Sequence, residues 1–189
     1  MLKTEQDVID LIAEDDRMME MLRAAKKLDL PDWWICAGFV RAKIWDTLHH
    51  FEKRTETPDV DVIYFDPAQV DERTEKDLEE KLNRMLPGVP WSVKNEARMH
   101  MVNDIEPYES SVDAISKFPE TATALGVKLD DEENVVLTAP CGLEDVLNLE
   151  VKPTPFFTGT EARAAIYEER IGKKDWKSIW PKITVHHIW

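Results

Sequence analysis

The chain has 189 residues, of which 43% are hydrophobic and 33% charged, the make-up of one globular domain and outside the range of disordered or collagen-like chains. A formal charge of −14 and a pI near 4.8 argue against a dedicated surface for long nucleic acid, whose binding draws on Lys and Arg displacing counterions, but leave small anionic ligands open. No apolar run approaches the roughly 20 residues of a membrane span, and acids occupy Met1-Leu2-Lys3-Thr4-Glu5-Gln6-Asp7 where a signal peptide would be apolar, so a cytoplasmic location is expected.

In chain order, Thr4 and Asp7 form a capping pattern, and Val8, Leu11, Ile12, Met18, Met19 and Leu22 recur at the spacing of one amphipathic helix. Leu30-Pro31-Asp32 breaks the chain before a short apolar strand, Trp33 to Ala37, which holds Cys36. Both cysteines, Cys36 and Cys141, are expected as buried free thiols. Gly38 then turns the chain into a helix marked by Val40, Ile44, Trp45 and Leu48. A charged loop from Glu52 to Pro58 leads to the strand Asp59-Val60-Asp61-Val62-Ile63-Tyr64-Phe65-Asp66, which Pro67 ends.

Leu78, Leu82 and Leu86 define a helix from about Asp71 to Met85, and Pro87-Gly88-Val89-Pro90 turns into the strand Trp91-Ser92-Val93-Lys94. Short helices are expected around 97–101, 112–118 and 142–147, with a hairpin of 124–129 and 135–138 about an acidic turn. The last helix, 160–171, ends at a left-handed Gly172. The alternation predicts an α/β (α+β) fold, a mixed sheet flanked by helices in a single domain 1–189, with a core of about 28–102 and a completing segment of about 103–189.

Residues i and i+2 of a strand share a face, so Asp59 and Asp61 project together from a segment otherwise made of Val, Ile, Tyr and Phe. Paired carboxylates taken from water repel one another and favour protonation, so the pattern points to a divalent cation between them or to a tuned acid/base pair. A further alternative is a buried network in which Lys or Arg neutralises both.

Strand, Gly38, helix and then Asp59-Val60-Asp61 on the next strand together resemble the polymerase-beta-like nucleotidyltransferase superfamily. The segments Ala37-Gly38-Phe39-Val40-Arg41, Asp59 to Asp66, Trp91 to His100, Pro119-Glu120-Thr121-Ala122-Thr123, Ala139-Pro140-Cys141-Gly142-Leu143-Glu144-Asp145 and Trp180-Pro181-Lys182 resemble a bacterial nucleotidyltransferase-like family over most of the chain. The resemblance implies a polymerase-beta-like nucleotidyltransferase fold and Mg2+-dependent transfer of a nucleoside monophosphate from a nucleoside triphosphate to an unidentified small-molecule or protein acceptor. Asp59 and Asp61 would ligate the metal. Gly38, Phe39 and Arg41 would lie at the phosphates, Lys94 and Arg98 would neutralise them, and Asn95 would read a base edge or a sugar.

The chain departs from the superfamily's pattern in three places. Phe39 follows Gly38 where a small residue is usual, the interval from Gly38 to Asp59 is long, and Glu96 is the only acid in position to serve as a third catalytic carboxylate. These departures favour a second reading, a catalytically degenerate module that binds nucleotide, metal or protein without turnover. Arg170, Lys173 and Lys174 form a basic cluster near the tail that would either help neutralise a nucleotide or compensate the last helix's negative end.

Overall fold

The computed structural model describes residues 2–189. Two helices, α1 (Glu5–Ala13) and α2 (Asp16–Lys26), stand where the apolar spacing predicts one. Thr4 and Asp7 cap α1 reciprocally, the Thr4 hydroxyl accepting from the Asp7 amide at 3.1 Å and the Asp7 carboxylate from the Thr4 amide at 2.8 Å. The break before α2 comes from Asp15, whose carboxylate accepts the Met18 amide at 3.0 Å while Lys43 and Arg54 close on it at 2.7 and 2.5 Å. Burial alone would raise this carboxyl, yet the bonds from Lys43, the Met18 amide and Arg54 bring it down to about 2. A fixed charge at the N-cap thus ends a run whose periodicity alone would have continued.

The sheet contains β1 (Trp34–Cys36), β2 (Val60–Tyr64), β3 (Trp91–Asn95), β4 (Gly126–Leu129) and β5 (Val135–Thr138) in the order β3-β2-β1-β4-β5. Only β2 and β3 run parallel, joined by the helix α4 (Glu72–Met85); the other neighbours are antiparallel. It is the mixed, helix-flanked sheet expected from the sequence, and β4 and β5 come from beyond residue 103. Gly126 sits where β4 crosses Cys36: a Cβ there would lie 3.3 Å from Ile115 Cδ1 and 3.4 Å from Cys36 Cβ, so the close packing favours glycine.

One sheet face carries Ile35, Val60, Val62, Tyr64, Val93 and Val127 into the main core, with α2, α4 and the helix α3 (Gly38–Leu48) packed on it. The other face is narrower: Trp34, Cys36 and Ile63 pack with Ala124 and with Ile115 of α6 (Ser111–Ser116). Asp61 faces Cys36 across the β1–β2 ladder and lies at the margin of this second face.

The helix α5 (Glu96–Asn103) continues directly from β3. Beyond β5, the chain forms α7 (Glu144–Leu147), β6 (Glu150–Val151), α8 (Pro155–Thr158), α9 (Glu161–Lys173), α10 (Trp176–Ile179) and β7 (Thr184–Val185), with β6 and β7 paired in parallel. Gly172 is not the left-handed cap expected; α9 runs through it to Lys173 and is capped by Lys174 at φ −84°. Trp45 of α3 is fully buried and meets Trp176 and Trp180 edge-on at 6.0 and 5.1 Å, while Trp180 Nε1 donates to Asp46 at 2.8 Å. These contacts fasten the C-terminal elements to the helix that follows β1. Among the described residues, no helix is long and apolar enough to cross a membrane.

Candidate active site

Asp59 immediately precedes β2 and is exposed; Asp61 is its second residue and only half-buried. The expectation of a pair sunk in a buried strand is therefore corrected: the carboxylates line the open beginning of β2. Burial first, and then the neighbouring Asp59, push the Asp61 carboxyl up to about 6, against the opposing charges of Arg41, Arg170 and Lys174. Those cations act from a distance. Arg170 is ion-paired with Glu120, and Arg41 donates from Nη1 to Thr123 Oγ1 at 2.9 Å, so neither closes on Asp61 as the neutralised network would require.

Glu96 opens α5, is 7% exposed, and has its carboxyl raised to about 7 by burial, Glu75 and Asp61, with Lys94 and Arg98 opposing. Glu96 thus lies within the field of Asp61, after that of Glu75. Ser92 lies across from Asp61 in the parallel ladder, so strand alternation gives Lys94 the same face.

The turn between β1 and α3 falls one residue earlier than the sequence suggested. Ala37, not Gly38, has the glycine-like backbone, φ 59° and ψ −122°, while Gly38 is the first helical residue. Phe39 is thus the second residue of the helix and does not form the turn. The Phe39 side chain is 7% exposed and belongs to the main core, so its bulk is turned away from the helix terminus. No side chain caps α3, which leaves its first amides free to face an anion. A Cβ on Gly38 would lie 3.5 Å from Arg41 Nη2 and 3.7 Å from Thr57 Cγ2, which places the Arg41 guanidinium beside that terminus.

Arg41, expected at the phosphates, is buried. Its guanidinium lies 4.2 Å from the Trp176 ring and 5.4 Å from Trp45, its Nε has no partner, and burial lowers its pKa to about 10. Thr123, Glu120 and Trp176, which hold Arg41 and Arg170 in place, were not recognisable as site residues. Two of them lay in the Pro119-to-Thr123 segment that resembled the family, which was the available signal.

Two further expectations are corrected by hydrogen bonding. Asn95 is 1% exposed and fully committed: its Oδ1 accepts from the amides of Asp66 and Ala97, and its Nδ2 donates to the carbonyls of Asp66 and Gln69, leaving nothing with which to read a base or sugar. Arg98 spends its guanidinium on Glu75, with Nε at 3.0 Å and Nη2 at 2.7 Å from a carboxylate that has no solvent exposure. Both residues build the α4–β3–α5 junction. Lys94, half-buried, remains beside Glu96.

The pattern of a family described as nucleotidyltransferase matches residues 23–185. The chain belongs to this nucleotidyltransferase family. A solved structure described as an NMR structure revealing a CCA-adding enzyme head domain is 37% identical, with a TM-score of 0.89, and the match covers 99% of this chain and 98% of that one. A CCA-adding enzyme in complex with ATP aligns at TM-score 0.51 and 13% identity over 88% of this chain and 41% of its own. The Thermotoga maritima CCA-adding enzyme complexed with tRNA aligns at 0.53 and 15% over 96% and 42%. These last two share the fold, and this nucleotidyltransferase spans about two fifths of their length. No curated protein matches its sequence.

The donor set can be tested against a divalent ion from its own chemistry. Among the described residues no three His, Cys, Asp or Glu side chains converge on one point, so the fold offers no closed cage. Two hard carboxylates at an open strand end, beside an uncapped helix N-terminus, instead suit magnesium, which keeps its waters and is commonly shared between one or two carboxylates and substrate phosphates. The residues present fit that mode of binding.

Proposed function

We propose that this nucleotidyltransferase is magnesium-dependent and moves a nucleoside monophosphate from a nucleoside triphosphate to a small-molecule or protein acceptor. One observation carries the reading: Asp59 and Asp61 stand side by side without a neutralising ion pair, next to the uncapped start of α3 and within the field of Arg41, Arg170 and Lys174. Two acids beside an uncapped helix start and the Arg41 guanidinium are complementary to a metal–triphosphate, whose cation and anion are adjacent.

In this reading Asp59 and Asp61 hold the metal, and the free amides at Gly38 and Phe39 receive a phosphate. Arg41, whose Nη2 lies beside Gly38, meets the phosphates, and Lys174 and Lys94 balance the remaining negative charge. Glu96 is the acid placed to join Asp61 once the cation offsets their repulsion. Magnesium, when bound, supplies Lewis-acid polarisation of the phosphoryl oxygens. The charge of −14 favours a small or protein acceptor over a long nucleic acid.

Calorimetric titration with magnesium and each nucleoside triphosphate, on wild type and Asp61→Asn, tests this directly. Saturable binding lost in the variant, together with pyrophosphate release when an acceptor is supplied, is expected; absence of binding to the wild type would refute it. The lack of a closed three-acid cluster gives specific support to a second reading, a module that binds nucleotide without turnover. Binding without pyrophosphate release across a broad acceptor panel would favour it.

A further inference from the structure

A cavity of about 400 Å³ opens on the other side of β2 from the Asp61 carboxylate, between α2, α3 and the loop before β2. Its size is that of a small-molecule site. Three cations line it, Arg17, Lys43 and Arg54, against a single lining carboxylate, Glu56. The buried Asp15 engages both Lys43 and Arg54, yet with both acids counted the cations remain in excess, in a chain whose formal charge is −14. Between the charges the wall is apolar, formed by Met21, Phe39 and Val60.

The cavity adjoins the proposed reaction centre. Val60 lies between Asp59 and Asp61, Phe39 follows Gly38, and Thr57 both lines the cavity and stands beside Gly38 at the start of α3.

We infer that this cavity is the acceptor site, and that the acceptor is a small molecule carrying an anionic group on an apolar or aromatic body together with a hydroxyl. The inference rests on the nucleotidyl-transfer reading above. The anionic group pairs with Arg17 and the surplus charge of Lys43 and Arg54, and the apolar body lies on Met21, Phe39 and Val60. This directs the hydroxyl past Thr57 towards the strand end that carries Asp59 and Asp61. There the hydroxyl oxygen forms a bond to the α-phosphorus while the bond to the α,β-bridging oxygen breaks. That oxygen leaves with its electron pair as pyrophosphate, and the hydroxyl proton passes to water. A cationic recess in an acidic protein concentrates such an anion where the rest of the surface repels it.

Phenyl phosphate is the probe: it has the anion and the ring but no hydroxyl, so a nucleotide in the same sample is not consumed. Titrated into the full chain and followed by amide chemical shifts, it is expected to saturate with the largest shifts at Met21, Phe39 and Thr57. Binding is expected to weaken about tenfold in Arg17→Glu, a charge reversal at an exposed position. The same binding is expected with magnesium–ATP present, and to persist in Asp61→Asn, which separates this inference from the nucleotide reading: loss of ATP binding with phenyl phosphate retained faults neither. Absence of saturation, shifts centred elsewhere, an unchanged affinity in Arg17→Glu, or displacement of the probe by magnesium–ATP would each overturn it.

Discussion

Replacing Asp61 with Asn should stabilise the metal-free protein while removing its ability to hold a metal–nucleotide. The carboxyl of Asp61 is raised from 3.8 to about 6, chiefly by burial and then by Asp59. A rise of that size corresponds to an upper figure of about 3 kcal/mol, and the partial solvent exposure of Asp61 reduces this to about 1–2 kcal/mol. The sign follows from proton linkage. Below 3.8 the carboxyl is protonated in both folded and unfolded chains and costs nothing; between 3.8 and about 6 the unfolded chain releases the proton that the folded one retains, so stability falls as pH rises, and above about 6 the loss is constant. Asn is nearly isosteric and uncharged, so its advantage should be absent near the low end of this window and complete above it. For a chain of this length the expected rise in Tm is about 3–6 °C at about pH 7.5. The assay is thermal unfolding of wild type and Asp61→Asn in EDTA across the pH range, then repeated with magnesium–ATP, which should raise the wild-type Tm and leave the variant unmoved. A variant no more stable than wild type at neutral pH, or one whose gain is the same at low pH, would refute the assignment of strain to this carboxylate.

Three further outcomes follow from individual contacts. Ala37→Gly should stabilise the fold by about 1 kcal/mol in urea denaturation, because relief of a glycine-like backbone at φ 59° and ψ −122° outweighs glycine's added chain entropy; a loss of stability would show that the turn is not strained. Arg98→Met should cost about 3 kcal/mol by leaving the fully buried Glu75 unpaired, and adding Glu75→Gln should recover part of that cost; equal instability of the single and double variants would contradict the pairing. Arg41→Lys keeps the charge but loses the fork that reaches Thr123 and the stacking on Trp176, so magnesium–ATP affinity measured by calorimetry should fall about tenfold; an unchanged affinity would remove Arg41 from the nucleotide site.

The strands and long helices of the sheet were legible because each has a periodicity of its own. The two-residue β6 and β7 and the single turn α8 are too short to have one, and the two strands exist through pairing with each other across the intervening helices. The division of α1 from α2 was hidden for a related reason: Asp15 looks like one more polar helical residue until Lys43 and Arg54 arrive from later in the sequence. At the site, Asp59 and Asp61 announced themselves by the two-residue repeat of a strand. Asn95 and Arg98 misled because local sequence shows their chemistry but not their partners, Asp66, Gln69 and Glu75, which lie 23–29 residues away. Ala37 gave no sign at all, since an alanine forced to positive φ is compositionally silent. The burial of Arg41 was not legible because Thr123 and Trp176, which enclose it, belong to the other half of the chain.

Asp59 and Asp61 are proposed to hold the metal of a bound nucleotide. Paramagnetic broadening of amide signals by Mn2+–ATP, substituted for the magnesium complex, tests this most directly. Broadening is expected to centre on residues 37–39 and 59–62 in the wild type and to be lost in Asp61→Asn. Broadening centred elsewhere, or undiminished in the variant, would contradict it.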